Sequence, residues 1–146
     1  MPVSFYPLEE LIPHRDAMVL IDRVVEFNEA ERSLVVEFKP RQEWMRAYAA
    51  IEYMAQSAAA LAGYFDKLAG EKAARPGFLL GTRKLSLAID AFEREKTYRV
   101  KVMNEFADSS AASFSCEIMD GEEVVASATL NAYRPESLSE FLKTSN

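Results

Sequence analysis

The chain has 146 residues and is 49% hydrophobic, the size and apolar content of one domain, residues 1–146, with a substantial core. A net charge of −6 argues against nucleic acid, which selects basic faces, and means that an acidic partner must be met by a local basic patch. The single cysteine, Cys116, excludes an internal disulfide and a cysteine-based zinc site. With no signal peptide and no apolar run near 20 residues, the expectation is a cytoplasmic protein without a membrane segment.

Residues 1–16 read as irregular, with a short helical turn at Leu8–Leu11 that ends at Pro13. Met18–Phe27, rich in Val, Leu and Ile, reads as a strand, Asn28–Arg32 as a polar turn and Ser33–Phe38 as the returning strand. Pro40–Arg46 is a loop, and a long helix then runs to about Ala69. Along it Ile51, Met54, Ala58, Leu61, Phe65 and Leu68 recur at spacings of three and four, the mark of a core-facing stripe. Ala55, Ala59, Ala60, Ala62 and Gly63 fill much of the rest, so the helix is small and apolar nearly all round and is expected to be wrapped by other structure. The charged, breaker-containing segment Gly70–Pro76 stops it.

Strands follow. Leu85, Leu87 and Ile89 alternate with polar or small residues, as do Tyr98, Val100 and Val102, then Phe114, Cys116 and Ile118. Cys116 thus falls on the apolar parity and reads as a buried, inert thiol. Asp120-Gly121 is a hairpin signal, and Val124, Ala126, Ala128, Leu130 and Ala132 form the apolar side of the last strand. Ser137–Lys143 reads as a short helix. One long helix against this many strands predicts an α+β fold, an antiparallel curved sheet wrapped around one central helix. Such a sheet leaves edges open, and pairing with a second chain is expected.

Glu52 is the only charged residue between Ala47 and Tyr64. A carboxylate on so apolar a helix is either paired or becomes a usable acid; the plainer reading is that it complements the helix dipole near the N-terminus. Gln56 is one turn further on, placed to orient that carboxylate or hold a water. The Ala47 and Tyr48 amides at the helix start are candidate oxyanion donors. His14, the only histidine, suits base work near neutrality or a structural hydrogen bond. Tyr48 and Tyr53 either donate a proton or line an acyl tunnel, or, on the plainer reading, pack in the core, and Arg15, Asp22 and Arg23 are expected to form an ion-pair cluster. Arg83 and Lys84, with Arg41, Arg46 and Arg75, form a basic mouth for a phosphate or an acidic carrier, or are scattered solvated charges. Trp44 and Met45 either gate an acyl tunnel or make a dimer contact.

Three segments carry a family resemblance. Pro13-His14-Arg15 with Met18-Val19-Leu20-Ile21-Asp22-Arg23-Val24 resembles the "PHR…LLVDRV" segment of the 3-hydroxyacyl-acyl-carrier-protein dehydratases. Ile51-Glu52-Tyr53-Met54-Ala55-Gln56 resembles their "IEALAQ" helix, and Phe78-Leu79-Leu80-Gly81-Thr82-Arg83-Lys84 their "FLAGIDKA" strand. The order and separations also match, over about Leu11 to Tyr133, and the pattern is most similar to a divergent branch associated with aryl-polyene and related pigment pathways. The resemblance implies the hot-dog fold and reversible loss of water from a 3-hydroxyacyl thioester held on the phosphopantetheine of an acyl carrier protein. It implies no metal or redox cofactor. It also implies a homodimer or heterodimer in which a histidine and an acidic residue, here Glu52, meet from two chains. The family's catalytic histidine lies in a "GHFPxxPxxPG" loop; this chain has Pro40-Arg41-Gln42-Glu43-Trp44-Met45-Arg46-Ala47 there, without histidine or glycine.

Three functions compete on these residues: a dehydratase with a Glu52–His14 pair, a catalytically weak subunit that completes a competent dehydratase, and a hot-dog thioesterase in which Glu52 activates water.

Overall fold

Side chains that alternate between faces make strands, and strands whose apolar faces agree make one curved sheet around a single helix. The computed structural model describes residues 5–14, 18–70, 78–107 and 111–133. Its elements are α1 (Leu8–Leu11), β1 (Arg23–Asn28), β2 (Ser33–Phe38), α2 (Ala50–Leu68), β3 (Phe78–Leu87), β4 (Tyr98–Ala107), β5 (Ala111–Asp120) and β6 (Glu123–Tyr133). Two 3-10 turns, Gln42–Trp44 and Ala47–Ala49, lead into α2. The strands form one antiparallel sheet in the order β1-β2-β4-β5-β6-β3, so β1 and β3 are its two ends. This is the expected hot-dog arrangement, with α2 packed on β2, β4, β5 and β6.

The helix is seated by aromatic rings and by small residues. Tyr53 stacks on Phe38 with centroids 3.9 Å apart, and Phe92 and Tyr98 close the cluster edge-on and in parallel. Towards the other end Tyr64 stacks on Phe27 at 4.0 Å and meets Tyr6 edge-on. Each such pair adds about 1 kcal/mol beyond its burial. The buried face holds Met54, Ala58 and Leu61 as expected. It is rotated towards Tyr53, Ser57, Ala60 and Tyr64, which leaves Ile51 and Phe65 half-buried and Leu68 exposed. At Gly63 the chain preceding β1 comes in so close that a Cβ would lie 2.0 Å from the Leu11 carbonyl oxygen.

The departures from simple alternation share a cause. Each β-bulge inserts one residue and reverses the side-chain parity beyond it. In β6 the extra residue is Val125, which is buried while Val124 is exposed, the reverse of the expected assignment. In β3 one bulge falls between Leu79 and Gly81 and a second between Arg83 and Ser86, with Lys84 at φ 55°, and Leu85 and Leu87 face outward at 42% and 38% exposure. Further bulges lie in β1 at Val25 and in β4 at Glu105. The strand read from Met18 begins instead at Arg23: Leu20 and Ile21 are buried but lie outside the ladder. Asp120-Gly121 makes the expected hairpin turn, with Gly121 at φ 62°. Cys116 is buried on β5, and burial pushes its thiol up to about 12, which keeps it protonated. The helix expected at Ser137–Lys143 lies outside the described residues.

Gly63→Ala gains intrinsic helix propensity of about 1 kcal/mol, yet the added methyl must displace Leu11 backbone. A net loss of about 2 kcal/mol is expected in urea denaturation; a variant as stable as the parent would show that the α1 segment is free to move off the helix.

Candidate active site

The first turn of α2 has no side-chain cap: Arg46 is the last extended residue before the helical run, and neither it nor Ala49 caps the turn with its side chain. The amides there carry the positive end of the helix dipole, and Glu52, in the first turn, is the acidic group that answers it. Its carboxylate is half-buried. Gln56 holds it from one turn further on: Nε2 donates to Glu52 Oε1 at 3.3 Å and to the Met18 carbonyl at 2.6 Å. Gln56 Oε1 accepts the Leu20 amide at 2.8 Å, and the residue is 1% exposed. One buried amide thus clasps the extended segment 18–20 onto the helix and fixes the side of Glu52 that faces away from solvent. Glu52 and Gln56 are brought together as the spacing predicts.

The loop before the helix is fixed by different groups. The Tyr53 hydroxyl donates to the Trp44 carbonyl at 2.8 Å and accepts the Arg41 amide at 3.2 Å. Burial pushes its pKa up, so it stays a donor throughout the physiological range. Asp22 accepts the Lys39 amide at 2.7 Å and pairs with Arg41 at 2.6 Å. From the other flank the chain after β3 adds a short bridge between Arg46 and Ala91, and the Phe92 amide donates to the Met45 carbonyl at 2.6 Å.

These contacts correct four expectations. The Ala47 amide donates to the Asp90 carbonyl at 3.0 Å, so it is already engaged and the Tyr48 amide is left as the candidate oxyanion donor. Tyr48 is 67% exposed, because the 3-10 turn that carries it points it away from the sheet, whereas Tyr53 packs in the core as expected. Arg41 belongs to the Asp22 pair and not to a basic mouth. Arg23 pairs with Glu37 at 2.7 Å and not with Asp22; Arg15, also expected in that cluster, and Arg75 lie outside the described residues.

His14 lines an open groove of about 840 Å3 with Tyr6, Leu8, Val19, Ile21, Arg23 and others, a set that does not include Glu52. Arg83 and Lys84 are exposed on β3. Trp44 and Met45 are half-buried. Among the described residues no group of three or more His, Cys, Asp or Glu side chains could hold a metal, and no helix is long and apolar enough to cross a membrane. Nothing in the sequence pointed to Asp22, Asp90 or the Tyr53 hydroxyl as the fixers of the loop. They act across long separations, and backbone acceptors leave no residue-type signal.

Residues 6–143 match the family described as ApeP-like, ApeP dehydratase. The chain belongs to the ApeP-like dehydratase family. Among solved structures it is similar to the dehydratase heterocomplex ApeI:P from Xenorhabdus doucetiae, at 23% identity over 98% of this chain and 99% of that one, with a TM-score of 0.87. It also resembles the HP0420 homologue from Helicobacter felis (13% identity, 93% and 95% covered, TM-score 0.68). A third likeness is to a hypothetical thioesterase with coenzyme A from Streptococcus pneumoniae TIGR4 (12% identity, 77% and 84% covered, TM-score 0.59). No curated protein sequence matches it. The family assigns the chain to the dehydratases, hydro-lyases built on the hot-dog fold.

Replacing Gln56 by Leu keeps the volume and strips both polar contacts from buried backbone at Met18 and Leu20. A loss of about 2–3 kcal/mol is expected in chemical denaturation; an unchanged midpoint would mean that water takes over both groups.

Proposed function

We propose that this dehydratase removes water from a 3-hydroxyacyl thioester carried on an acyl carrier protein, and that the chain contributes Glu52 to a site completed by a second hot-dog subunit. The observation that carries this reading is the half-built state of the Glu52 site. Its carboxylate is oriented by Gln56, which also holds the Met18 carbonyl, while Met18 at 59% and Tyr48, four residues before Glu52, at 67% exposure stand in solvent. Exposed apolar groups around an oriented carboxylate suit a wall that another chain supplies.

In the elimination a base removes the α-proton, the C–H pair becomes the π bond, and the C–O pair leaves with the hydroxyl, which takes a proton and departs as water. Glu52 serves as the acid that protonates the leaving oxygen, and the Tyr48 amide donates to the thioester oxygen as negative charge gathers there. No step needs a redox cofactor, since no net oxidation occurs.

The base is the group the pre-helix loop lacks. That loop is tied down by Tyr53, Asp22 and Asp90, and His14 lines a groove, shared with Asp22, whose lining does not include Glu52. Both observations favour a base from the partner subunit over one recruited within the chain. The similar heterocomplex of two dehydratase chains supports the same view. Arg83 and Lys84, exposed near the end of β3, lie on the strand that runs on towards the segment bridging the helix start, and they are the cations offered to the carrier's phosphopantetheine phosphate. The net negative charge and the carrier-bound substrate fit a cytoplasmic reaction.

The test is conversion of a 3-hydroxyacyl carrier-protein thioester, read by mass spectrometry, for the chain alone and mixed with a histidine-bearing hot-dog subunit. Enoyl product is expected in the mixture and should fall roughly a hundredfold with Glu52→Gln. Full activity of the chain alone, lost with His14→Ala, would restore the single-chain pair. Free acid in place of enoyl product would make the chain a thioesterase.

A further inference from the structure

The segment that leads into β1 serves two sites. Its Met18 carbonyl and Leu20 amide are held by Gln56, on the side of Glu52. The alternate residues, Val19 and Ile21, instead line the open groove of about 840 Å3 that His14 shares. Val25 of β1 and Leu8 of α1 add to its apolar lining, and Glu52 does not belong to it. The volume falls within the roughly 300–1,000 Å3 of pockets that take small molecules.

The groove also carries two cations on one counterion. Arg23 of β1, Glu37 of β2 and Arg99 of β4 are register partners across three adjacent strands, so their side chains share one face of the sheet. Arg23 Nε lies 2.7 Å from Glu37 Oε1, and Arg99 Nε lies 3.8 Å from Oε2. One carboxylate balances one guanidinium, and a positive charge is left over. Both arginines line the groove, and both meet Glu37 through Nε. Among the described residues their terminal nitrogens make no hydrogen bond, which leaves two forks for another anion. Of the acids in the lining, Asp22 is committed to Arg41 and the Lys39 amide, and Glu9 is exposed.

Apolar side chains beside two open guanidinium forks fit a ligand with an apolar body and an anionic head. We propose that the groove is a second binding site, for a fatty-acid-like acyl carboxylate. Arg23 and Arg99 hold the carboxylate, whose two oxygens match a planar fork, and the chain lies along Val19, Ile21 and Val25. The occupant rests on the segment that carries the contacts to Gln56, so binding tightens the clasp that orients Glu52. All the groove residues come from one chain, and the site does not depend on how Glu52 is completed.

The test is a titration of the intact 15N-labelled chain with octanoate, followed amide by amide in NMR spectra. Saturable shifts are expected at Val19, Leu20, Ile21 and Val25, and exchange of the Leu20 amide with solvent should slow severalfold at saturation. Octanol and inorganic phosphate each offer half of the recognition and should bind roughly tenfold more weakly or worse. Arg23→Gln/Arg99→Gln should weaken octanoate by a similar roughly tenfold factor. If that variant does not fold by circular dichroism, Arg99→Gln alone replaces it, since its contact with Glu37 is the longer one, and a loss of roughly threefold is expected. No saturable shift, shifts confined to other surfaces, octanol or phosphate binding as tightly as octanoate, or arginine variants that bind like wild type would each overturn the site. Binding with an unaltered Leu20 exchange rate would overturn its link to Glu52.

Discussion

Wrapping one helix in a single sheet is the constraint on which the rest of the molecule depends. A six-stranded layer closes around α2 only if the helix is thin where it touches, hence Ala50, Ala58, Ala60 and Gly63 on its buried faces. The large side chains that remain are rings that lie flat: Tyr53 on Phe38 and Tyr64 on Phe27. A helix packed in this way has no freedom to rotate, because Leu11 backbone sits against Gly63 and any turn would drive a Cβ into it. That rigidity gives the Glu52 carboxylate a fixed direction, since every residue of the first turn is set by the seating of the turns behind it.

A single layer has two ends and an uncovered helix start, and the chemistry collects there. The two clasps at the helix start divide the work. Gln56 binds the incoming segment 18–20, while Tyr53, Asp22 and the Asp90 carbonyl bind the loop 39–47. Gln56, Tyr53 and Asp22 each hold backbone with a side chain, and the Asp90 carbonyl holds the Ala47 amide, so most of these contacts fix a stretch of chain without requiring a particular side chain there. The loop is therefore held firmly while its own side chains, Gln42 and Glu43 among them, point outward. A loop fixed at its backbone at both flanks, with no imidazole among its side chains, serves as framework and not as a source of acid–base chemistry.

Much of this was legible in the chain. The run from Ala47 to Tyr64 showed a wrapped helix with one carboxylate, the strand alternation showed the sheet, and the i, i+4 spacing of Glu52 and Gln56 showed their contact. What stayed hidden follows from two physical causes. Alternation assumes a regular ladder, and a bulge costs the reader one residue of parity, which exchanged Val124 for Val125 and turned Leu85 and Leu87 outward. Ion pairing and backbone acceptance depend on three-dimensional proximity, so Asp22 was assigned to the neighbouring Arg23 when its partner is Arg41, across the hairpin. The exposure of Tyr48 belongs with these: an aromatic at a helix start reads as core until the 3-10 turn that carries it is known.

The exposed groups then acquire a common explanation. Scattered exposed apolar side chains are ordinary on any surface, but Met18 is held through its carbonyl by the Gln56 that orients Glu52, Tyr48 lies four residues before Glu52, and Leu85 and Leu87 lie on the strand that runs into the bridge at the helix start. A monomeric enzyme would cover its acid with its own loops to exclude water from the reaction. Here the loops adjacent to Glu52 are already committed elsewhere by hydrogen bonds that leave them no slack. On the proposed reading, exclusion of water at Glu52 comes from outside the chain, and the same cover that dries the site would bring the base. On that reading, the absence of a loop histidine and the exposed groups beside the helix start are one feature: a half-site that another subunit would finish.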